Sequence, residues 1–312
     1  VVARHHRVPT NGNEMTEPSG TPTSNVIEAE GLTKVFKDFW YRPKVEAVNH
    51  LSLSIRSGEV FGLLGPNGSG KSTTLKMILG LLQPTSGSLS VLGAQPSDVE
   101  TKNRIGYLPE ETYLYPYLTA EETMDFYGRL FNIPQPTRRE RVAELLDLVD
   151  LTYAAKRQIG EFSKGMARRV GLAQALVNDP DLVILDEPTS GLDPIGCRQI
   201  KDLILLLSKR GKTVLLSSHL LADVEDVCDR ITILYNGNVK AAGPINELLE
   251  ERNLCRINMP ELPPEDLKRI LKEIRDVMGS EPDVEHPRRN LEQFFLEVVE
   301  KAKDNQSTGT PS

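Results

Sequence analysis

The chain has 312 residues, of which 26% are charged, and its formal net charge is −7. This length suits one large domain or two, and the acidic balance gives no general electrostatic reason to bind nucleic acid. The longest apolar stretches fall far short of the ~20 residues that cross a bilayer, so we expect no membrane span. Three cysteines without Cys-x-x-Cys spacing predict neither a disulfide framework nor a zinc site.

The N-terminal part has a polar tail, followed by strands in which apolar and polar residues alternate. Residues 1–24 are rich in Pro, Thr, Ser, Gly and Asn and lack the apolar segment of a signal peptide, so we expect a disordered tail. Ile27 and Ala29 alternate with polar residues, as do the apolar residues of 51–55. This period of two predicts half-buried antiparallel strands.

Four aromatic residues lie between these strands: Phe36, Phe39, Trp40 and Tyr41. Aromatic rings stack well on a purine base, so one of them is a candidate for holding adenine, and Phe36 is the best stacking candidate. Simple packing beneath a hairpin is an equally good interpretation. The sequence leaves both open.

A short apolar strand then runs into a glycine-rich loop and a helix. The loop has the spacing Gly65-x-x-x-x-Gly70-Lys71-Ser72. In such a loop backbone N–H groups turn inward on a polyphosphate, the lysine supplies charge for the β- and γ-phosphates, and the hydroxyl can coordinate Mg²⁺. Apolar residues over 74–82 predict a helix with one buried face. The predicted phosphate-binding residues are Gly65, Pro66, Asn67, Gly68, Ser69, Gly70, Lys71, Ser72 and Thr73.

The middle of the chain has the pattern of a helical insert. A buried strand at 105–108 ends at Pro109-Glu110. Beyond it, Thr119 and Glu122 have the spacing of a helix capping box, and apolar residues recur at helical intervals. These patterns predict a helical subdomain over about 111–178.

Two groups of side chains in this insert have more than one interpretation. Tyr113, Tyr115 and Tyr117 stand close together at its entrance, where they either join the core or line a partner-binding groove. The arginine pairs at 138–139 and 168–169 have acidic residues nearby, which favours solvated helix faces.

Two further strands carry charged groups at their carboxyl ends. The apolar run 182–185 ends in Asp186-Glu187, and the strand 213–216 is followed closely by His219. Ligands of α/β folds bind at this edge of the sheet. Asp186 can hold Mg²⁺ against phosphates, Glu187 can polarise a water for attack on the γ-phosphate, and His219 can reach that phosphate. A loop-starting acidic pair and a structural histidine are the plainer interpretations, but the upstream phosphate loop favours function.

The C-terminal part changes from an α/β pattern to amphipathic helices. An Asn-Gly hairpin at 236–237 joins two strands, and beyond it apolar residues recur at helical spacing over 267–277 and 291–299. We expect these helices, in an accessory region at 250–302, to pack against the chain's own domain or a second copy. Residues 303–312 are expected to be disordered.

Six elements occur in the order and rough spacing seen in ATPase subunits of ATP-binding cassette (ABC) transporters, which the chain resembles over about 26–249. They are Gly65 to Ser72, Glu110 after a strand, Phe162-Ser163-Lys164-Gly165-Met166, residues 182–187, Ser190-Gly191-Leu192-Asp193 and His219. The resemblance implies an α/β fold with a P-loop NTPase (RecA-like) core sheet, an antiparallel β subdomain, an α-helical subdomain and, here, a small C-terminal helical extension. The nucleotide-binding domain would span 25–249.

The resemblance also implies a dimer that binds ATP and Mg²⁺. Members bind two ATP at a head-to-tail interface, formed with a second copy or a homologous ATPase subunit. Ser163 and Gly165 would contact the γ-phosphate held by the partner subunit, and Asp193 would cross the interface. Glu110 would join Ser72 and Asp186 as a metal ligand. Because transport members keep this subunit apart from the membrane part, a separate integral-membrane permease is implied, with the chain cytoplasmic on the inner face of the cell membrane.

The sequence departs from the family pattern at two places. Glu110 replaces the usual glutamine, and Phe-Ser-Lys-Gly-Met at 162–166 replaces Leu-Ser-Gly-Gly-Gln. Both departures resemble the exporter branch, which moves drugs, antibiotics or lipids with two-gene systems. Two alternatives are a soluble ABC ATPase of translation or DNA repair, which usually has two cassettes or a long coiled coil, and a non-hydrolysing regulatory subunit, against which Glu187 and His219 argue.

Overall fold

The computed structural model describes residues 24–38, 42–250, 260, 262–279, 282 and 284. Its strands are β1 (Asn25–Lys37), β2 (Pro43–Arg56), β3 (Val60–Leu64), β4 (Ser86–Val91), β5 (Ile105–Leu108), β6 (Leu182–Asp186), β7 (Thr213–Ser218), β8 (Arg230–Tyr235) and β9 (Asn238–Pro244). Its α-helices are α1 (Lys71–Ile78), α2 (Val99–Asn103), α3 (Ala120–Leu130), α4 (Gln135–Leu148), α5 (Lys164–Ala175), α6 (Pro194–Lys209), α7 (Leu221–Glu225), α8 (Ile245–Leu249) and α9 (Pro264–Met278).

A six-stranded sheet in the order β5-β6-β7-β3-β8-β9 forms the centre of the fold. Its first five strands run parallel, and β9 closes the edge as the antiparallel partner of β8. Every residue of β3, β6 and β7 is buried, as expected for parallel strands covered on both faces. Because these strands are parallel, the segments that follow them emerge at one edge.

A second sheet has the order β2-β1-β4 and is antiparallel throughout. Ile27 pairs with Ile55, and Ala29 pairs with Leu53, so the alternating apolar residues meet across the strands. Ile27, Leu51 and Ile55 are fully buried. The predicted antiparallel strands are confirmed, and their apolar face packs in one cluster with Leu75 and Ile78 of α1.

The helices α3, α4 and α5 form a layer beside the central sheet. The capping box predicted at the start of α3 is present, with Thr119 and Glu122 exchanging hydrogen bonds. Val142, Leu145 and Leu146 of α4 are buried in the same apolar cluster as Leu172 of α5. The cluster continues into β6 and β7, so the helical layer shares its core with the sheet. This mixed α/β architecture confirms the predicted fold class.

The structure corrects two sequence expectations. The helix α1 ends at Ile78, because Gly80 turns the chain with a φ of +66°, and Leu81 is 66% exposed instead of buried. Arg168 and Arg169, predicted on a solvated face, are 5% and 8% exposed. They belong to a continuous run of buried residues in α5 that also includes Gly171 and Leu172.

The C-terminal helix α9 has the predicted amphipathic pattern, yet none of its side chains is buried against the described residues. Val277, expected on its packed face, is 88% exposed. Packing of this helix on a second copy stays a prediction. The aromatic residues at 39–41, the helix expected at 291–299 and the stretches 1–23 and 303–312 lie outside the described residues. Among those that are described, no helix is both long and apolar enough to pass through a bilayer.

Candidate functional site

The loop between β3 and α1 curves around the first turn of the helix. Gly70 caps α1 with a φ of +105°, a backbone conformation that residues other than glycine rarely adopt. A Cβ there would stand 2.4 Å from the carbonyl oxygen of Ala47. At the helix start, Lys71 is 6% exposed, and its Nζ donates to the carbonyl of Gly65 at 2.7 Å and of Pro66 at 3.4 Å.

Glu187 brings the lysine and the histidine together. It follows β6 directly, is 5% exposed, and adopts a φ of +47°. Its Oε1 lies 3.3 Å from the Lys71 Nζ, and its Oε2 lies 2.7 Å from Nδ1 of His219. A carboxylate only accepts hydrogen bonds, so the imidazole donates. Lys71, Glu187 and His219 therefore meet at the carboxyl ends of β3, β6 and β7.

A serine missed by the sequence analysis holds both acidic residues. Ser217, at the end of β7 and fully buried, donates from its Oγ to Oδ1 of Asp186 at 2.5 Å. The same Oγ accepts from the backbone N–H of Glu187 at 3.1 Å. Its position directly after the predicted strand 213–216 was the signal that could have identified it, because β7 neighbours β6.

A cleft of about 640 Å³ opens beside Lys71 and Glu187, and His219 is not among the residues that line it. Phe36, 41% exposed, stands at one wall, so its ring is available for stacking instead of sealed beneath a hairpin. Glu110 and Glu187 line the cleft, together with most of the phosphate loop. The lining residues are Phe36, Lys44, Val45, Glu46, Ala47, Asn67, Gly68, Ser69, Gly70, Lys71, Ser72, Thr73, Glu110, Glu187 and Asn236.

The donor groups at the cleft fit Mg²⁺. Ser72 and Glu110 line it, and Asp186 lies at the end of β6 beside it. Hydroxyl and carboxylate oxygens are the ligands that this ion prefers, and it usually takes only one or two protein carboxylates together with substrate phosphates. Among the described residues no group of three or more His, Cys, Asp or Glu side chains could hold a metal ion alone.

Burial shapes the electrostatics beside the acidic pair. Burial, reinforced by the negative charge of Asp186, raises the pKa of Tyr107 to about 12. Burial also lowers the pKa of Arg168 to about 10, although Asp186 and Glu110 act in the opposite direction. Arg168 therefore remains charged at neutral pH and supplies positive charge next to the carboxylates.

Three of the predicted site residues lie away from the cleft. Ser163 caps α5 by accepting from the N–H of Met166 at 3.2 Å, and Asp193 caps α6 by accepting from the N–H of Gly196 at 2.7 Å. Ser163 and Asp193 are exposed, and Gly165 is half-buried. None of the three lines the cleft of its own chain.

Comparison with known proteins identifies the family. The profile of the family described as ABC transporter matches residues 48–190. An uncharacterized ABC transporter ATP-binding protein of Nostoc sp. is 40% identical over 89% of this chain and 91% of its own length. A second such protein, from Synechocystis sp., is 48% identical over 72% of the chain. The match covers 65% of the Synechocystis protein's own length.

A named relative and a solved structure carry the comparison further. The Nod factor export ATP-binding protein I of Burkholderia orbicola is 42% identical over 67% of this chain and 70% of its own, which confirms the expected resemblance to the exporter branch. A dimeric ATP-binding cassette in a post-hydrolysis state, bound to ADP and Pi, superposes with a TM-score of 0.63 at 28% identity, over 70% of this chain and 98% of its own. The chain therefore belongs to the ABC transporter family, as an ATP-binding subunit that hydrolyses ATP.

Proposed function

We propose that this chain powers an exporter as one ATPase subunit of a pair, formed with a second copy or a homologous subunit, that drives a separate integral-membrane permease. The observation that carries the proposal is that the side chains of Lys71 and His219 both contact Glu187 at the carboxyl edge of the central sheet. A lysine at a helix start, a carboxylate and an imidazole are groups that bind and cleave a terminal phosphate. The export function named for the Burkholderia relative favours the outward direction.

In this proposal each group at the cleft has one role in hydrolysis. Lys71 turns from the carbonyls of Gly65 and Pro66 to the β- and γ-phosphates when ATP enters, because phosphate oxygens offer it full negative charge. Glu187 orients the attacking water, and the imidazole of His219 contacts the γ-phosphate. The backbone N–H groups of residues 65–73 bind the phosphates, and Phe36 stacks on the adenine.

Mg²⁺ belongs to the same proposal. Ser72 and Asp186 would hold it, with Glu110 as a third oxygen ligand in place of the family's glutamine. When bound, the ion neutralises charge that develops on the phosphates. Glu110 adds negative charge to the cleft, which the ion offsets.

The positions of Ser163, Gly165 and Asp193 support a dimer. They are exposed or half-buried at the first turns of α5 and α6, away from the chain's own cleft. Backbone N–H groups at the start of a helix suit an anion, so the first turn of α5 can close on the phosphates of a second subunit. The dimeric cassette with ADP and Pi is consistent with this arrangement.

The exposed tyrosines after Glu110 support docking of a permease. Tyr113, Tyr115 and Tyr117 are 81%, 59% and 83% exposed, and Tyr115 meets Phe126 of α3 edge-on, with 6.3 Å between ring centroids. Exposed aromatic rings in one place are typical of protein interfaces. The permease would hold the chain at the cytoplasmic face of the membrane. The division at 25–249 and 250–302 is part of the same proposal.

The test of the proposed site is Glu187→Gln. We expect the ATPase rate to fall about 100-fold or more, because the water loses its orienting carboxylate, while ATP-bound dimers accumulate on size-exclusion chromatography. Glu46→Gln makes the same change at another carboxylate of the cleft and serves as the matched control, with most of the activity kept. Wild-type hydrolysis in Glu187→Gln would refute the assignment of Glu187.

The permease is tested separately. Replacing Tyr113 and Tyr117 by alanine should release the chain from membranes of the native cells in co-sedimentation, with the ATPase rate unchanged. Tyr153→Ala, which removes a tyrosine that is 69% exposed elsewhere on the helical layer, is the control. Equal membrane binding by the wild type, the double tyrosine variant and Tyr153→Ala would contradict docking at this surface.

A further inference from the structure

Arg168 of α5 is buried behind the acidic pair, where the mechanism proposed above gives it no part. It is 5% exposed, and its guanidinium donates to two separate segments of the chain. On one side Nη2 donates to the carbonyls of Asp186 at 2.8 Å and Glu187 at 2.9 Å, and Nε donates to that of Pro188 at 3.1 Å. These three carbonyls belong to consecutive residues that begin with Asp186, the last residue of β6.

The other side of the guanidinium holds the loop after β5. Nη1 donates to the carbonyls of Pro109 and of Glu110, the second at 2.8 Å, and to Oγ1 of Thr112 at 2.9 Å. This loop places Glu110 in the cleft and leads into the exposed tyrosines. A single planar group therefore joins the surface loop to the backbone of the acidic pair.

Packing alone does not explain an arginine here. Burying a guanidinium among backbone carbonyls is costly, and burial accordingly lowers the pKa of Arg168. An apolar side chain would fill the space without that cost. Arginine, however, offers five N–H donors in a rigid fork. All three guanidinium nitrogens of Arg168 donate, and together they contact six acceptors. Lysine, with three donors on one atom, cannot reach both segments in the same way.

The backbone conformation of Glu187 shows what the fork stabilises. A φ of +47° is uncommon for a residue other than glycine and costs of order 1 kcal/mol or more. The carbonyls of Asp186 and Glu187 belong to the peptide groups on either side of the Glu187 Cα, and Arg168 holds both. With the N–H of Glu187 bound by Ser217, the two peptide planes that set the direction of the Glu187 side chain are fixed.

We propose that Arg168 is a positioning residue for ATP hydrolysis, which fixes the backbone of Glu187 and couples it to the loop that carries Glu110. The proposal rests on the role proposed for Glu187. A displacement of the loop, for example when a partner binds the tyrosines, pulls on the same guanidinium that sets the direction of the Glu187 carboxylate. Arg168 itself does not line the cleft.

The test is steady-state ATP hydrolysis by Arg168→Gln and Arg168→Lys. Because a misdirected carboxylate impairs the chemical step and leaves the phosphate loop intact, we expect kcat to fall about 10-fold or more with KM for ATP little changed. Arg168→Lys keeps the charge but not the fork, so it should resemble Arg168→Gln. A wild-type kcat in Arg168→Lys would overturn the proposal.

Arg169→Gln is the matched control. Arg169 is buried on the same helix, but it donates to the carbonyls of Val149 and Asp150 at the end of α4, away from the acidic pair. Both glutamine variants should lower the melting temperature, whereas only Arg168→Gln should lose kcat. A similar loss of kcat in both would show that Arg168 serves the fold only, and the proposal would fail.

Thr112→Val covers the case in which the arginine variants do not fold. It removes one acceptor at the loop end of the fork and keeps the shape of the side chain, so kcat should fall about 2- to 5-fold at unchanged KM. An unchanged kcat would count against the coupling. These outcomes differ from failure of the proposed function, because that failure would appear as wild-type hydrolysis by Glu187→Gln.

Discussion

Lys201 of α6 is a buried cation with two carboxylate partners of very different exposure. It is 4% exposed, and its Nζ lies 2.9 Å from Oδ1 of Asp223, whose side chain is 15% exposed, and 2.8 Å from Oδ2 of Asp226, whose side chain is 58% exposed. Asp223 also accepts from the hydroxyl of Thr189 at 2.6 Å, two residues after Glu187. We predict that Asp223→Asn destabilises the protein much more than Asp226→Asn.

The magnitude follows from burial. Breaking a buried ion pair costs about 3–5 kcal/mol, but Asp226 stays with the lysine, so Asp223→Asn should cost about 2 kcal/mol. Asp226 is largely solvated, and its replacement should cost at most about 1 kcal/mol. The double variant leaves Lys201 without a carboxylate and should approach about 3–5 kcal/mol. For a domain of this size, each kcal/mol lowers the melting temperature by about 2–4 °C.

Thermal unfolding at neutral pH measures these differences. Burial lowers the pKa of Lys201, but the hydrogen bonds that the lysine donates to Asp226 and Asp223 outweigh this effect, so the pKa is raised. The stabilisation is therefore fully present below the pKa of an unfolded lysine and is lost as the pH rises above it. An Asp226→Asn protein that melts at or below the temperature of Asp223→Asn would refute the argument from burial.

Three further predictions concern the fold. Gly106→Ala should abolish soluble expression or lower the melting temperature by several degrees, because its Cβ would stand 2.0 Å from the carbonyl oxygen of Ala175; a wild-type melting curve would contradict this. Hydrogen bonding to Arg138 is the main reason why the pKa of Asp125 is lowered, so this pair stabilises the protein above the ordinary pKa of an aspartate and loses that effect as the pH falls. Asp125→Asn should flatten the fall in melting temperature between pH 7 and pH 3, and equal slopes would argue against the pair. Thr119→Ala removes the N-cap of α3 and should lower the free energy of unfolding, measured by urea denaturation, by about 1 kcal/mol. An unchanged free energy of unfolding would contradict a stabilising role of this cap.

The part of the site that depends on local pattern and parallel strands could be predicted. The spacing of the phosphate loop identifies Lys71 without any tertiary information, because the lysine must follow the glycines at the start of a helix. Glu187 and His219 follow because strands of one parallel sheet end at the same edge. The structure shows that the two side chains meet, with 2.7 Å between Nδ1 of His219 and Oε2 of Glu187.

Features set by long-range packing could not be predicted. Paired arginines among acidic residues are usually solvated, and only the packing of α5 against β5 shows that Arg168 is buried. The left-handed conformation of Glu187 and the contacts of Ser217 have no local signal, since both depend on neighbouring strands. Leu81 is exposed because the chain turns at Gly80, which lies so close to Pro96 that a Cβ would stand 2.2 Å from its carbonyl oxygen. The apolar pattern of α1 gives no sign of this turn.

We propose that this chain holds half of a catalytic site, completed by Ser163 and Gly165 of a second subunit. The most direct test is the ATPase rate per subunit over a dilution series, with light scattering in ATP on the same samples. We predict that the rate rises with protein concentration and levels off where the dimer is saturated. A constant rate per subunit down to concentrations at which light scattering shows only monomers would contradict the claim.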